Sequence, residues 1–111
     1  ENVQLYGPIL EFGKAHNVKI ATENMWNWDD EKDQSAFAAC ATAESFLRHI
    51  DLVNDPDLVA CLDIGHCALV GIDPSEAIHV LGRDRLKALH IHDVDYVLYG
   101  VSMPLSILVS L

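Results

Sequence analysis

Three residues with metal-binding side chains stand at the ends of short apolar runs. Glu23 follows Val18-Lys19-Ile20-Ala21-Thr22, Asp63 follows Leu58-Val59-Ala60-Cys61-Leu62, and His90 closes Leu86-Lys87-Ala88-Leu89. Two carboxylates and an imidazole together suit one divalent cation, Mn²⁺, Mg²⁺, Co²⁺ or Zn²⁺. If the runs are neighbouring parallel strands, about 4.8 Å apart, their ends can bring all three side chains to one ion. Any one of these residues could equally end a strand or begin a turn. It is their coincidence that points to a site.

Other residues could join it. His66 lies three positions after Asp63, in Asp-Ile-Gly-His, and could meet the same ion or a ligand bound to it; a histidine satisfied at a helix start is the alternative. His92 shares a strand face with His90 because side chains alternate with period two. It could be a ligand, a partner behind a ligand or a core residue, and Asp93 and Asp95 could orient these imidazoles or form a solvated turn. Trp26 and Trp28 follow the first acidic strand end, where they could wall a sugar ring or simply pack. On the functional readings His66, Trp26 and His92 would be the contacts to substrate. Cys61 and Cys67 lack the paired spacing of a zinc site and read as buried thiols. His16, His49 and His79 fall on helices away from the strand ends, and no phosphate loop, nucleophile elbow or H-E-x-x-H helix is present.

The elements that must hold these residues can be read from periodicity and punctuation. Leu5, Ile9, Leu10 and Phe12 recur at helical intervals between Val3 and His16, and Asn17 supplies a stop. Met25 to Gln34 is polar apart from Met25, Trp26 and Trp28, which predicts a long functional loop. Thr42 caps a second helix, whose stripe is Phe46, Leu47, Ile50 and Val53. Asn54-Asp55-Pro56-Asp57 breaks it, and the unbroken apolar run 58–62 predicts a strand covered on both faces. Residues 65–71 read as a short connection. Asp73 then caps a third helix with Pro74 at its first position; Ala77, Ile78 and Leu81 form its buried side and Gly82 its end. Residues 86–91 are the third strand. The order helix, strand, helix, strand, helix, strand implies βαβ units, a parallel sheet and right-handed crossovers. In such sheets chemistry sits at the carboxyl ends of the strands.

Bulk composition narrows the function. The chain has 111 residues, half of them hydrophobic, with seven Lys and Arg against seventeen Asp and Glu, a net charge of −10 and a pI near 4.7. Phosphate backbones require clustered basic residues, so a nucleic-acid partner is not expected. Three unpaired cysteines suit a reducing compartment, which predicts a cytoplasmic protein. No signal-peptide pattern opens the chain and no apolar run reaches membrane-spanning length, so no membrane partner is expected.

Three stretches carry a family resemblance: Ile20-Ala21-Thr22-Glu23-Asn24-Met25, Cys61-Leu62-Asp63-Ile64-Gly65-His66 and Leu86-Lys87-Ala88-Leu89-His90-Ile91-His92-Asp93. In order and spacing they resemble the xylose isomerase-like TIM-barrel superfamily, in particular its sugar phosphate isomerase/epimerase branch. The resemblance implies a partial TIM-barrel domain over residues 1–111, matching the family over 1–95 and ending in a divergent apolar tail, 96–111. The three strands would be the fifth, sixth and seventh of a (β/α)₈ barrel. Glu23, Asp63 and His90 would be metal ligands, Glu23 also the acid/base, and His66 a catalytic contact to a sugar or polyol substrate passing through an enediolate. Tyr99 and Val101 stand where this branch carries an Asp-x-His pair, and the eighth-strand Glu is absent. A dehydratase or isomerase of inositol-derived ketones, an endonuclease IV-like phosphodiesterase and an inactive truncated remnant are the alternatives. Three parallel strands cannot close a barrel, so their open edges predict self-association, to which the apolar segment 105–111 adds.

Overall fold

The computed structural model describes residues 2–92, 94 and 106–110, with Asn2 and 106–110 described as backbone alone. A 3₁₀ turn, Asn2–Leu5, leads into α1 (Tyr6–Ala15), and the chain then forms β1 (Ile20–Glu23), a hairpin of β2 (Trp26–Asp29) and β3 (Gln34–Phe37), α2 (Ala43–Val53) and β4 (Leu58–Asp63). After β4 come α3 (Ile64–Leu69), α4 (Pro74–Arg85), β5 (Leu86–His92) and β6 (Ser106–Ser110). One sheet has the order β1-β4-β5-β6: the first three strands are parallel and β6 runs antiparallel to β5. The expected α/β architecture of parallel βαβ units is therefore present. Asp93, Asp95, Tyr99 and Val101 lie outside the described residues, as does most of the 96–111 tail.

Local chemistry sets the boundaries. α1 ends where Asn17 adopts a left-handed conformation and Val18 N–H bonds back to the Gly13 carbonyl at 2.9 Å. A β-carbon on Gly13 would stand 2.7 Å from the Val18 carbonyl oxygen, so only glycine lets the chain fold back this closely. Thr42 Oγ1 accepts from Ser45 N–H and caps α2, while Asn54 ends it in the left-handed region. Asp73 accepts from Ser75 N–H ahead of Pro74, as expected. Gly82 (φ 64°, ψ 169°) interrupts α4 where a stop was expected, although one further turn runs to Arg85.

Three expectations are corrected. Residues 25–34 are no simple loop: Trp26, Asn27, Trp28 and Asp29 pair antiparallel with Phe37, Ala36, Ser35 and Gln34. Four alternating residues are enough for a hairpin strand, and Asp29 Oδ1 fastens the turn by accepting the N–H groups of Glu31 and Lys32. The 65–71 connection contains a helix, α3, which is too short to show periodicity but is capped by the Asp63 side chain. Ile78 is 37% exposed, because α4 buries Ala77 and Leu81 instead.

All six residues of the central strand β4 are buried. On one sheet face Ala60, Leu62 and Leu86 pack against Phe46 and Ile50 of α2, Ala77 and Leu81 of α4, and Cys67 of α3, with Leu89 beside them. Tyr6 braces the same side, its hydroxyl 3.1 Å from Thr22 Oγ1 and 3.0 Å from His49 Nε2. Leu86 and Leu89 are three residues apart, so a regular pleat would send them to opposite faces. A bulge reconciles them: Ala60 pairs with Leu86 but Cys61 with Ala88, leaving Lys87 as the extra residue. Asp63 therefore pairs with His90, and both lie on the sheet face opposite α2 and α4, shared by Glu23. Without Lys87 as a spacer, Leu89 would face Asp63 and His90 would enter the apolar core.

Phe46 is 1% exposed at the centre of the helix-sheet contact. Phe46→Ala is expected to cost about 3–5 kcal/mol, read as a lower urea midpoint at unchanged slope.

Candidate metal and active site

Asp63 is the residue around which the others gather. Its side chain is 0% exposed at the carboxyl end of the central strand. Oδ1 accepts from the backbone N–H of His66 at 2.8 Å and meets His92 Nε2 at 2.7 Å. Since a carboxylate only accepts, His92 Nε2 carries the hydrogen. Oδ2 lies 2.7 Å from His90 Nδ1, yet it takes no hydrogen bond from any described residue. The short contact carries no directed N–H bond. A fully buried carboxylate oxygen left in that state is costly unless a cation completes it.

Glu23 approaches from β1. Its Oε1 is 3.5 Å from His66 Nδ1 and 3.6 Å from His90 Nδ1, and its side chain is 34% exposed. His66 Nε2 is 3.8 Å from Asp63 Oδ2. Donor atoms of Glu23, Asp63 and His66 all lie within 4.8 Å of one another, as do those of Asp63, His90 and His92. The chain thus holds His, Asp and Glu groups able to hold a metal ion, with Asp63 common to both. The structure brings together Glu23, Asp63 and His90, the set expected from strand ends, and adds His66 and His92 around them.

His92 sits behind this cluster, its side chain 1% exposed and Nδ1 unpartnered among the described residues. The space it fills is made by Gly65, where a β-carbon would stand 2.1 Å from His92 Cε1. Trp26 lies on β2, which packs against α3, the helix that carries His66. Its ring meets that of Trp28 edge-on, with centroids 6.3 Å apart.

Cys61 and Cys67 are free and buried, as expected of thiols without paired spacing. Burial pushes both up to about 11, and nearby carboxylates add to the effect: Glu23 and Asp63 at Cys61, Asp63 at Cys67. Sequence reasoning assigned nothing to Gly65 or to Asn24, which is 2% exposed and bonded to the Asp63 backbone. The available signals were a glycine between Asp63 and His66 and an amide directly after Glu23.

The family model for the xylose isomerase-like TIM barrel matches residues 3–102. The chain belongs to this family. No curated protein matches it. Among solved structures it resembles the probable 3-DHS dehydratase involved in petrobactin synthesis from Bacillus anthracis, with a TM-score of 0.66 and 23% identity over 86% of this chain and 32% of that one. The chain spans about a third of that protein's length. At this identity the likeness is one of fold. No helix among the described residues is long and apolar enough to cross a membrane.

Gly65→Ala should push the His92 ring off Asp63 Oδ1 and destabilise the protein by about 1–3 kcal/mol, checked by denaturation together with the His92 ring resonances. The thiols give a second test. Their ordinary value is 9.0 and the folded value about 11, so the stability they contribute is full below pH 9 and is lost as pH rises through 11. Cys61→Ala/Cys67→Ala should flatten the fall of Tm over that window relative to the parent protein.

Proposed function

We propose that these residues form part of the active site of a divalent-metal-dependent enzyme that isomerises or epimerises a sugar, sugar phosphate or related polyol through an enediolate. The observation that supports this reading best is Asp63 Oδ2, a buried carboxylate oxygen with a histidine nitrogen 2.7 Å away and no hydrogen-bond donor among the described residues. Glu23, Asp63 and His90 would hold the ion. Bound there, it supplies the positive charge that polarises neighbouring substrate oxygens.

The remaining roles follow from exposure and chemistry. Glu23 combines a carboxylate with an open side, so it can take the proton from the carbon beside a substrate carbonyl. The C–H electron pair becomes a C=C bond, and the carbonyl π pair moves onto oxygen. Returning the proton to the former carbonyl carbon, while the hydroxyl on the first carbon gives up its proton to the oxygen that took the π pair, gives isomerisation; protonation of the first carbon on its opposite face, by a second acid, gives epimerisation. His66, with 17% of its side chain exposed beside the two carboxylates, is placed to meet a substrate oxygen and the charge it develops. Trp26 would supply an apolar surface for the carbon-bound face of the substrate.

A second reading takes its chemistry from the solved structure of similar fold, described as a probable dehydratase. Dehydration can begin with the same proton removal, after which the enolate expels a β-hydroxyl as water instead of being reprotonated. The two outcomes separate by product: isomerisation conserves the substrate's mass and incorporates solvent deuterium, whereas dehydration releases water and leaves a conjugated carbonyl. In the full-length protein, Glu23→Gln and Asp63→Asn should each lower bound metal to background and abolish turnover. Elemental analysis showing parental metal content in both variants would remove the basis of this reading.

A further inference from the structure

We propose that Asn24 is the positioning residue of this site: its side-chain amide joins β1 to Asp63 past the end of the strand ladder, and its backbone carbonyl decides which ring nitrogen of His66 faces Asp63. This rests on the metal-site reading above, but it makes a separate claim about a residue to which that reading gives no role.

The geometry begins where the ladder stops. β1 pairs with β4 as far as Glu23 opposite Cys61, and the backbone then leaves the sheet for the hairpin. The N–H and C=O of Asp63 therefore face a gap on the β1 side. Asn24 fills it from its side chain: Oδ1 accepts from Asp63 N–H at 2.7 Å and Nδ2 donates to Asp63 C=O at 3.1 Å. The second amide hydrogen lies toward Cys67 Sγ, 3.4 Å away. An N–H must donate and a carbonyl must accept, so these partners fix the amide's orientation. No other side chain of this length offers both an acceptor and a donor. An Asp here would place an oxygen against the Asp63 carbonyl, and a Leu would leave two buried backbone groups unmet.

A closed ring of bonds results. Asn24 holds the Asp63 backbone, Asp63 Oδ1 accepts from His66 N–H, and His66 Nδ1 returns to the Asn24 carbonyl at 2.8 Å. A carbonyl cannot donate, so Nδ1 carries the hydrogen and the neutral ring presents a bare Nε2. That nitrogen is the one 3.8 Å from Asp63 Oδ2. Because Glu23 precedes Asn24 in the chain, the ring also fixes Glu23 against Asp63 and His66. Groups that act through a ligand's own hydrogen bonds typically change metal affinity about 10–100-fold when removed.

The test uses the full-length protein, with Mn²⁺ titrated calorimetrically and the metal-free His66 ring observed by long-range ¹H–¹⁵N NMR at pH 8. The parent protein should show the Nδ1–H tautomer. Asn24→Ala keeps the backbone carbonyl but frees it from Asp63, so it should weaken Mn²⁺ binding by about 10–100-fold and, by letting the carbonyl drift from Nδ1, turn His66 into a mixture of tautomers, while Ile50→Val, a core change far along α2, should alter neither. If Asn24→Ala does not fold, Asn24→Gln keeps the amide but displaces it by one methylene, and it should show both effects in smaller degree. Parental affinity with an unchanged tautomer in the folded variant would overturn the proposal. If the parent protein binds no Mn²⁺, the metal reading fails and the ring spectrum alone decides: an Nε2–H tautomer in the parent overturns the role of Asn24, and Nδ1–H lost on substitution supports it.

Discussion

A carboxylate buried at the end of the central strand imposes the main constraint on this molecule. Asp63 has no exposed surface, so every partner its two oxygens have must be supplied from neighbouring elements. α3 supplies one through the His66 amide and β5 supplies two imidazoles, while the residue after β1 secures the backbone. Removing Asp63 would therefore uncap a helix, strand a buried histidine and release the strand end together. The site and the local fold are one structure here.

The bulge in β5 shows the same coupling at the level of the sheet. A regular strand offers one face to the helices and the other to the site, with strict alternation. Leu86 and Leu89 both belong to the helix-side core, while His90 and His92 both reach Asp63. Only an inserted residue satisfies both demands, and Lys87 is the one that the register skips. Its aliphatic stem and charged end suit a half-buried position at the entry of the strand. Gly65 makes the matching allowance on α3 by leaving room for the His92 ring.

At the opposite end of the sheet the joints are electrostatic and exposed. Lys14 pairs with Asp55 at 2.5 Å and Lys19 with Asp57 at 2.8 Å, joining the last turn of α1 and the residue before β1 to the turn before β4. Their mutual attraction holds the Lys14 ammonium above its ordinary range and the Asp55 carboxyl below it. Exposed pairs of this kind add little stability, and they lie where the fold carries no candidate chemistry. The polarity of the sheet is thus complete: exposed ion pairs at one end, a buried carboxylate ringed by histidines at the other.

Much of this was legible from the residues in order. The apolar run 58–62, the caps at Thr42 and Asp73, and the placing of Glu23 and Asp63 at strand ends are all properties of neighbouring residues, and local pattern is enough to reveal them, whereas β5 runs two residues past His90. The tertiary structure decided the rest. The hairpin at Trp26 and Phe37 depends on pairing across a turn; the phase of β5 depends on which leucines the helices admit; the buried place of His92 depends on a missing β-carbon 27 positions earlier in the chain. Asn24 is the clearest case, since nothing in Glu-Asn says that the amide will meet a peptide group 39 residues away. Sequence records what each residue can offer, and only the folded chain, by bringing distant groups into van der Waals and hydrogen-bond contact, determines what each one meets.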